Sequence, residues 1–200
     1  YGQHTQDAFQ DADYFINVSD NTDEIRANIY RLIDLLFGDP FITPTFNEYA
    51  MFMAYASSLR SADLSRQIGS VIAKDNEIIA SGVNDCPRFG GGLYWPEFKD
   101  CNYTDIEGGR DYMLGYDSNK IEQKKIIDSI LDNLEIEKSD NNINKIKKAG
   151  IGDLTEYGRV VHSEMEALLM CARNNISCKE ASMYVTTFPC HNCAKHIIAA

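Results

Sequence analysis

Two short motifs, each at the expected start of a helix, constrain the fold of this chain more than any other feature. Residues 162–164 read His-Ser-Glu and open an amphipathic helix, and residues 189–193 read Pro-Cys-His-Asn-Cys and open another. The C-x-x-C spacing of the second motif lets two thiolates reach one tetrahedral metal ion, and a histidine adds a neutral nitrogen ligand. The sequence therefore predicts one metal site to which both helix starts contribute.

We predict that this ion is zinc and that its ligands are His162, Cys190 and Cys193. Free N–H groups and the dipole at a helix N-terminus favour the thiolate form of the two cysteines. Three protein ligands leave a fourth position for water, which is the arrangement of a catalytic zinc site. Glu164 lies two residues beyond His162, so the two side chains do not share a helix face. We predict that Glu164 is the catalytic acid–base that takes a proton from the water on the ion.

A closed structural zinc site is the alternative that the same segment allows. His191 and His196 flank the two cysteines, and a Cys/Cys/His/His set would fill all four positions of the ion. This alternative leaves His162 and Glu164 without a role. The open, catalytic arrangement explains both motifs.

The composition is typical of a globular protein, with 44% hydrophobic and 24% charged residues among 200. No window approaches the ~18–20 consecutive apolar residues of a membrane helix, and the N-terminal sequence lacks a secretory signal. We therefore predict a cytoplasmic protein that does not bind membranes and whose six cysteines stay reduced. The net charge of −11 disfavours stable DNA binding, while a single nucleotide needs only a few local bases.

The pattern of apolar residues predicts an α/β order of elements with one long insertion. Strands are expected at 13–18, 66–73, 77–83 and 181–187, with a hairpin turn at 74–76. Helices are expected at 23–37, 46–60, 118–136, 160–173 and 194–200. Residues 85–117 are predicted to be irregular, and polar sequence continues to about 150. Gly38-Asp39-Pro40 ends a helix and marks a domain boundary, which gives domains 1–42 and 43–200 with an insertion at about 85–155.

Over residues 45–200 the chain resembles the cytidine deaminase superfamily, and within it the deoxycytidylate deaminases. The H-x-E and P-C-x-x-C motifs are those of zinc deaminases. The resemblance rests on residues 64–85 (LSRQIGSVIAKDNEIIASGVND), 161–168 (VHSEMEAL) and 186–198 (TTFPCHNCAKHII). Residues 38–45 (GDPFITPT), 89–95 (FGGGLYW) and 108–115 (GGRDYMLG) are similar to bacterial anti-phage dCTP/dCMP deaminases, in which a P-loop kinase-like domain precedes the deaminase.

The resemblance implies a three-layer α/β/α sandwich of the cytidine deaminase type with a mixed sheet. It implies zinc-dependent hydrolytic deamination of a deoxycytidine nucleotide, dCTP or dCMP, as antiviral defence by nucleotide-pool depletion. It also implies a homo-oligomer, with a regulatory RNA or nucleotide as a further partner.

The resemblance also assigns substrate-binding residues. It places Asn84 on the sugar, the Ser163 backbone against the pyrimidine, Tyr157 in a stack on the base, and Arg66 on phosphate. Each assignment has a structural alternative, since Asn84 suits a turn and Tyr157 suits a protein core. Arg66 is one of four arginines that could hold phosphate, with Arg88, Arg110 and Arg159, and each of them also suits a surface position or an ion pair.

In the cytidine deaminase fold, two more strands follow the helix that begins at the C-x-x-C motif. In the anti-phage enzymes, a P-loop domain precedes the segment that corresponds to residues 1–42. No G-x-x-x-x-G-K-[ST] sequence is present. We therefore expect residues 1–42 to be the end of a P-loop kinase-like domain, and the sheet to be truncated at the C-terminus.

Three other functions are compatible with parts of the sequence. The first is a housekeeping dCMP deaminase for thymidylate synthesis. The N-terminal residues 1–42 and the FGGGLYW sequence at 89–95 argue against it. The second is a nucleic-acid editing deaminase, which the net charge of −11 disfavours. The third is a non-enzymatic structural zinc module, for which a substitution of Glu164 should be silent.

Overall fold

The computed structural model describes residues 12, 14–16, 18 and 21–200. The chain divides into two compact units, Tyr1–Tyr49 and Ala50–Ala200. None of the helices in these described residues is long and apolar enough to cross a membrane.

The first unit contains helix α1 (Thr22–Leu36), close to the predicted 23–37. The Asn21 side chain accepts a hydrogen bond from the Asp23 amide at 3.0 Å and caps the helix, a role for which asparagine is a preferred residue. The strand predicted at 13–18 lies partly outside the described residues, and the described residues 14–16 and 18 lie in no strand.

A capping box precedes the next helix, α2 (Phe46–Ser58). The Thr45 amide donates to Glu48 Oε2 at 2.5 Å, and the Glu48 amide donates to Thr45 Oγ1 at 3.3 Å. Arg31 adds a two-pronged ion pair to the same carboxylate, at 2.7 and 3.1 Å. This guanidinium lowers the pKa of Glu48 to about 2, with help from the Thr45 hydrogen bonds.

A three-stranded sheet in the order β2-β1-β5 forms the centre of the second unit. Its strands are β1 (Gly69–Lys74), β2 (Glu77–Val83) and β5 (Ser182–Val185), as predicted within a few residues. β1 and β2 form the predicted hairpin, in which Lys74 pairs with Glu77. Asp75 and Asn76 occupy its turn with φ of 52° and 60°, which is the conformation that a tight hairpin turn requires.

Helices cover both faces of this sheet. Successive strand residues point to opposite faces. Ser70 Oγ donates to the Ser163 carbonyl at 2.8 Å, which places helix α6 (Ser163–Arg173) on one face. A Cβ added at Gly69 would lie 2.6 Å from the Ser58 amide nitrogen, which places α2 on the other face. The predicted three-layer α/β/α sandwich is therefore confirmed.

The core lies between the sheet and α6. Ile72 and Ala80 pack against Ala167 and Cys171, and all four are buried. Both ladders of the sheet are antiparallel. Within the described strands, the parallel pair that a mixed sheet requires is not formed.

The insertion is more ordered than the sequence predicts. It contains a small hairpin and four helical segments. These are β3 (Glu97–Lys99), β4 (Asn102–Thr104), α3 (Asp111–Leu114), α4 (Ser118–Asn133), α5 (Asp140–Lys148) and a 3-10 turn (Ile151–Asp153). The strands have three residues each, too few to show an alternating pattern. Helix α5 reads as polar sequence, yet Ser139 caps it by accepting from the Asn142 amide at 3.4 Å.

Three boundaries differ from the predictions for local reasons. Strand β1 begins at 69 instead of 66, because Asp63 accepts from the Ser65 and Arg66 amides and holds a turn there. Helix α6 begins at 163 instead of 160, because Val161 forms a backbone bridge with Asp85. The last helix, α7 (His191–Ala199), begins three residues before the predicted 194, with Cys190 as its cap.

Candidate metal centre

Backbone hydrogen bonds fix the position of His162. The Asp85 amide donates to the Val161 carbonyl at 3.3 Å, and the Val161 amide donates to the Asp85 carbonyl at 3.0 Å. His162 follows at once as the N-cap of α6, and its carbonyl accepts from the Glu166 amide at 2.9 Å. The ligand candidate thus lies between a backbone bridge and the first helical turn.

The two cysteines occupy the start of α7. Cys190 is the N-cap, and its sulfur accepts a hydrogen bond from the Cys193 amide at 3.4 Å. Cys193 is buried in the first turn. The start of α7 thus carries both sulfurs.

The donor atoms of these three residues form one cluster. His162 Nδ1 lies 3.4 Å from the sulfur of Cys190 and 3.4 Å from that of Cys193. All three ligand atoms lie within 4.8 Å of one another. Ligands around a tetrahedral zinc ion at 2.0–2.3 Å are separated by about 3.5 Å, so the cluster fits zinc.

Glu164 is buried beside this cluster. Only 2% of its surface is exposed, and its Oε2 accepts from Ser163 Oγ at 3.0 Å. Burial raises the pKa of the Cys193 thiol above its usual range, and the neighbouring Glu164 carboxylate raises it further. Glu164 is therefore an electrostatic neighbour of Cys193, one of the three predicted ligands. A bound cation acts in the opposite direction, because it stabilises a thiolate.

The two other histidines of this region lie outside the cluster. His191 is exposed. His196 Nδ1 faces the Asn192 carbonyl oxygen at 2.6 Å. Within the part of the chain that the structure describes, the one group of three or more such ligands contains neither histidine.

Two of the predicted substrate-binding residues, Asn84 and Ser163, are buried and hydrogen-bonded within the protein. The Asn84 side chain donates to the Arg66 carbonyl and accepts from the Ile68 amide, both at 2.7 Å. It thereby holds the segment that leads into β1. Ser163 is fully buried, and its carbonyl accepts from Ser70 Oγ.

The other two predicted residues are exposed. Arg66 presents its side chain to solvent. Tyr157 is 48% exposed, in a loop held by Asn119 and Ser118 through hydrogen bonds at 3.3 and 2.9 Å. The alternative of a core tyrosine is therefore wrong for Tyr157.

An open pocket of about 330 Å³ borders His162 and Cys193. This volume lies in the range of roughly 300–1,000 Å³ typical of small-molecule sites. The rest of its wall is formed by Thr155, Glu156, Val160, Val161, Met165, Leu169, Asn192 and His196. None of the four predicted substrate-binding residues is among these described wall residues, and the sequence offered no signal for the pocket.

The structure also contains a network of ion pairs between the insertion and the segment that precedes α6. The sequence did not predict this network. Arg110 is buried, with Asp85 and Asp105 each at 3.4 Å. Arg159 pairs with the buried Asp111 at 3.1 Å. The only signal in the sequence was the Gly-Gly-Arg-Asp run at 108–111, where two charges follow a glycine turn.

Comparisons with known proteins identify a family model and several relatives that this chain matches. Residues 44–200 match the family model described as the cytidine and deoxycytidylate deaminase zinc-binding region. Deoxycytidylate deaminase of Enterobacteria phage T2 is 32% identical over 146 residues, which is 72% of this chain and 70% of the phage protein. ComE operon protein 2 of Bacillus subtilis is 43% identical over 156 residues, covering 78% of this chain and 55% of that protein. Human deoxycytidylate deaminase is 27% identical, with 76% of this chain and 58% of the human protein covered.

A crystal structure of dCMP deaminase from the cyanophage S-TIM5 with dCMP and dUMP has 18% identity and a TM-score of 0.43, covering 79% of this chain and 76% of that one. The family model matches more than half of the chain and is defined around its zinc-binding region, so zinc is the cofactor. The chain belongs to the cytidine and deoxycytidylate deaminase family.

Proposed function

We propose that this protein catalyses the hydrolytic deamination of a deoxycytidine nucleotide, dCMP or dCTP, to the deoxyuridine nucleotide. The observation that carries the proposal is the arrangement at the two helix starts. A histidine nitrogen lies 3.4 Å from each of two cysteine sulfurs, and the buried Glu164 carboxylate is a neighbour of Cys193. His162, Cys190 and Cys193 are the zinc ligands in this proposal, and Glu164 is the catalytic residue.

The reaction requires two proton movements. Water adds to C4 of the cytosine ring, the C4–N bond breaks, and ammonia leaves. Zinc, when bound, supplies the Lewis acid that makes the water nucleophilic at neutral pH. The Glu164 carboxylate accepts one proton from the water and delivers it to the ring nitrogen. It then accepts the second proton, from the hydroxyl now on C4, and delivers it to the departing amine, which leaves as ammonia.

The surroundings of Glu164 suit this role. The Ser163 hydroxyl donates to Glu164 Oε2 at 3.0 Å and holds the carboxylate in place. Burial excludes bulk water, so protons pass between the carboxylate and the substrate and not to solvent. Ser70 Oγ donates to the Ser163 carbonyl and thereby fixes the first turn of α6, which carries Glu164.

The substrate class follows from charge and family together. A chain with net charge −11 favours a single nucleotide over a nucleic-acid strand. In this proposal the exposed Arg66 is the phosphate ligand, whereas Arg110 and Arg159 have carboxylate partners inside the protein. In the same proposal, Asn84, which follows β2, contacts the sugar of the nucleotide. Tyr157 stacks on the cytosine ring from its exposed loop.

Two physiological roles compete. The resemblance of the insertion to anti-phage enzymes supports nucleotide-pool depletion as antiviral defence. The names of the phage and human relatives, deoxycytidylate deaminases, support a housekeeping dCMP deaminase instead. We further propose that residues 1–42 end a P-loop kinase-like domain, that the protein is a homo-oligomer, and that a nucleotide or RNA regulates it.

One incubation separates these substrates. The full-length protein is supplied with zinc and a mixture of dCMP, dCTP, CTP and single-stranded DNA, and the products are identified by mass spectrometry. We expect dUMP or dUTP and unchanged DNA. Consumption of dCTP supports pool depletion, and dCMP alone supports the housekeeping role. Unchanged nucleotides, with zinc bound, would refute the enzymatic proposal in favour of a structural zinc module.

A further inference from the structure

The insertion contacts the segment that leads into the metal helix through one side chain. Arg159 lies three residues before His162. Its Nη2 donates to the carbonyl oxygens of Gly108 and Gly109 at 2.9 and 2.8 Å, and its Nη1 lies 3.1 Å from Asp111 Oδ1. One guanidinium thus makes three contacts with residues 108–111, which we call the GGRD turn.

The shape of the GGRD turn depends on its glycines. Gly108 has φ of +69°, a conformation that side chains disfavour. A Cβ at Gly109 would lie 3.0 Å from the Ile106 carbonyl and 3.2 Å from the Tyr94 ring. The two glycines therefore allow a tight turn whose carbonyls both face Arg159.

The GGRD turn is itself fixed to the end of β2. The buried Arg110 donates to the Tyr94 carbonyl at 2.6 Å, and its Nε lies 3.4 Å from Asp85 Oδ2. Asp85 is the residue whose backbone forms the bridge with Val161. The turn consequently restrains the segment 159–161 at both ends, at Arg159 directly and at Val161 through Asp85.

We propose that the GGRD turn is a positioning element for the metal ligand His162. The turn and the bridge leave the backbone before His162 one path, which sets the direction of its imidazole toward the two cysteines. Arg159 and Asp111 are positioning residues, since neither belongs to the metal cluster. This inference rests on the proposed function, because it takes His162 as a zinc ligand.

The chain offers a matched control at the C-terminal end of α6, where Arg173 is the last helical residue. Arg173 forms an ion pair with the buried Glu166. The side chains of Arg173 and Glu166 are 34% and 8% exposed, and those of Arg159 and Asp111 are 35% and 6% exposed. A lysine at either arginine removes a similar guanidinium–carboxylate pair, but only Arg159 adjoins the metal ligand.

The test measures zinc affinity and site geometry in the full-length protein. Arg159→Lys and Arg173→Lys are compared by competition with a chromophoric chelator for zinc, and by the visible spectrum of the cobalt-substituted protein. Partners that orient a metal ligand change affinity by about 10- to 100-fold, and we expect about tenfold weaker zinc binding with an altered cobalt spectrum in Arg159→Lys. Arg173→Lys should keep both properties at the values of the unsubstituted protein.

A second variant covers the case in which Arg159→Lys does not fold. Asp111→Asn keeps the size of the side chain. It also keeps an oxygen that can accept from the Cys86 thiol, whose sulfur lies 3.3 Å from Asp111 Oδ1 in the unsubstituted protein. This variant should weaken zinc binding in the same way as Arg159→Lys. Zinc binding that is unchanged in the folded variants, or weakened equally in Arg173→Lys, would overturn the inference alone. Failure of the unsubstituted protein to bind zinc would overturn the proposed function and the inference with it.

Discussion

At Gly82 of β2 the backbone of α6 packs directly against the sheet. A Cβ added there would lie 2.6 Å from the Ala167 amide nitrogen, and it would also contact the Ser163 carbonyl. Both are backbone atoms of α6, so no side-chain rotation relieves the contact. Ordinary van der Waals separations are about 3.5 Å, so Gly82→Ala must move α6 by at least about 1 Å away from the sheet.

This displacement should affect stability and the metal site together. Overpacking of a core destabilises a protein by about 1–3 kcal/mol, and we expect the upper part of that range because both partners are backbone. A misplacement of about 1 Å lowers enzymatic rates by roughly 100-fold, and the displaced turn carries His162 and Glu164. Thermal unfolding measures the first effect, and zinc content and deaminase rate per folded molecule measure the second.

Gly69→Ala is the matched control on the opposite face. Its Cβ would lie 2.6 Å from the Ser58 amide nitrogen, so it should push α2 away and destabilise the protein to a similar extent. The metal site should keep its zinc, because α2 contributes no ligand. Equal loss of zinc in both variants, or unchanged zinc and rate in Gly82→Ala, would refute the view that sheet–helix packing sets the site.

Three further predictions concern single side chains. Glu164→Gln should keep zinc and lose about 10²- to 10⁴-fold in rate, whereas Glu166→Gln should lose stability and keep the rate of its folded fraction, as assayed by steady-state kinetics beside unfolding curves. Cys193→Ser should bind less zinc than the unsubstituted protein by metal analysis, and undiminished zinc would contradict its role as a ligand. The ion pair of Arg31 lowers the pKa of Glu48 to about 2, so its stabilisation is complete above the ordinary glutamate pKa near 4.5 and is lost as the pH falls toward 2. Glu48→Gln should therefore flatten the acid limb of a stability–pH curve, and an unchanged curve would show that the pair contributes nothing.

The metal centre could be predicted because its information is local. The ligand residues lie in two motifs of three and five residues, and both motifs open helices whose apolar pattern is clear. The hairpin β1–β2 is predictable for the same reason, since Asp75 and Asn76 are the residue types that a tight turn favours. The spacing of the apolar residues predicted whether a segment is a helix or a strand. The first residues of β1 at 69 and of α6 at 163 depend instead on the hydrogen bonds of Asp63 and on the bridge between Asp85 and Val161.

The insertion could not be predicted in the same way, because its order comes from distant partners. Arg159 and Asp111 are 48 positions apart in the chain, and Asp85 and Val161 are 76 positions apart. Neither pair leaves a periodic signal. Residue type alone also could not show that the Asn84 amide braces the backbone of Arg66 and Ile68.

X-ray absorption at the zinc K-edge of the full-length protein tests the central claim most directly. An open catalytic site predicts two sulfur ligands at about 2.3 Å and two nitrogen or oxygen ligands at about 2.0–2.1 Å, with outer-shell scattering from one imidazole ring. Loss of the imidazole signal in His162→Ala would assign the ring. Scattering from two imidazole rings beside two sulfurs would indicate a closed structural site and contradict the assignment of catalysis to this centre.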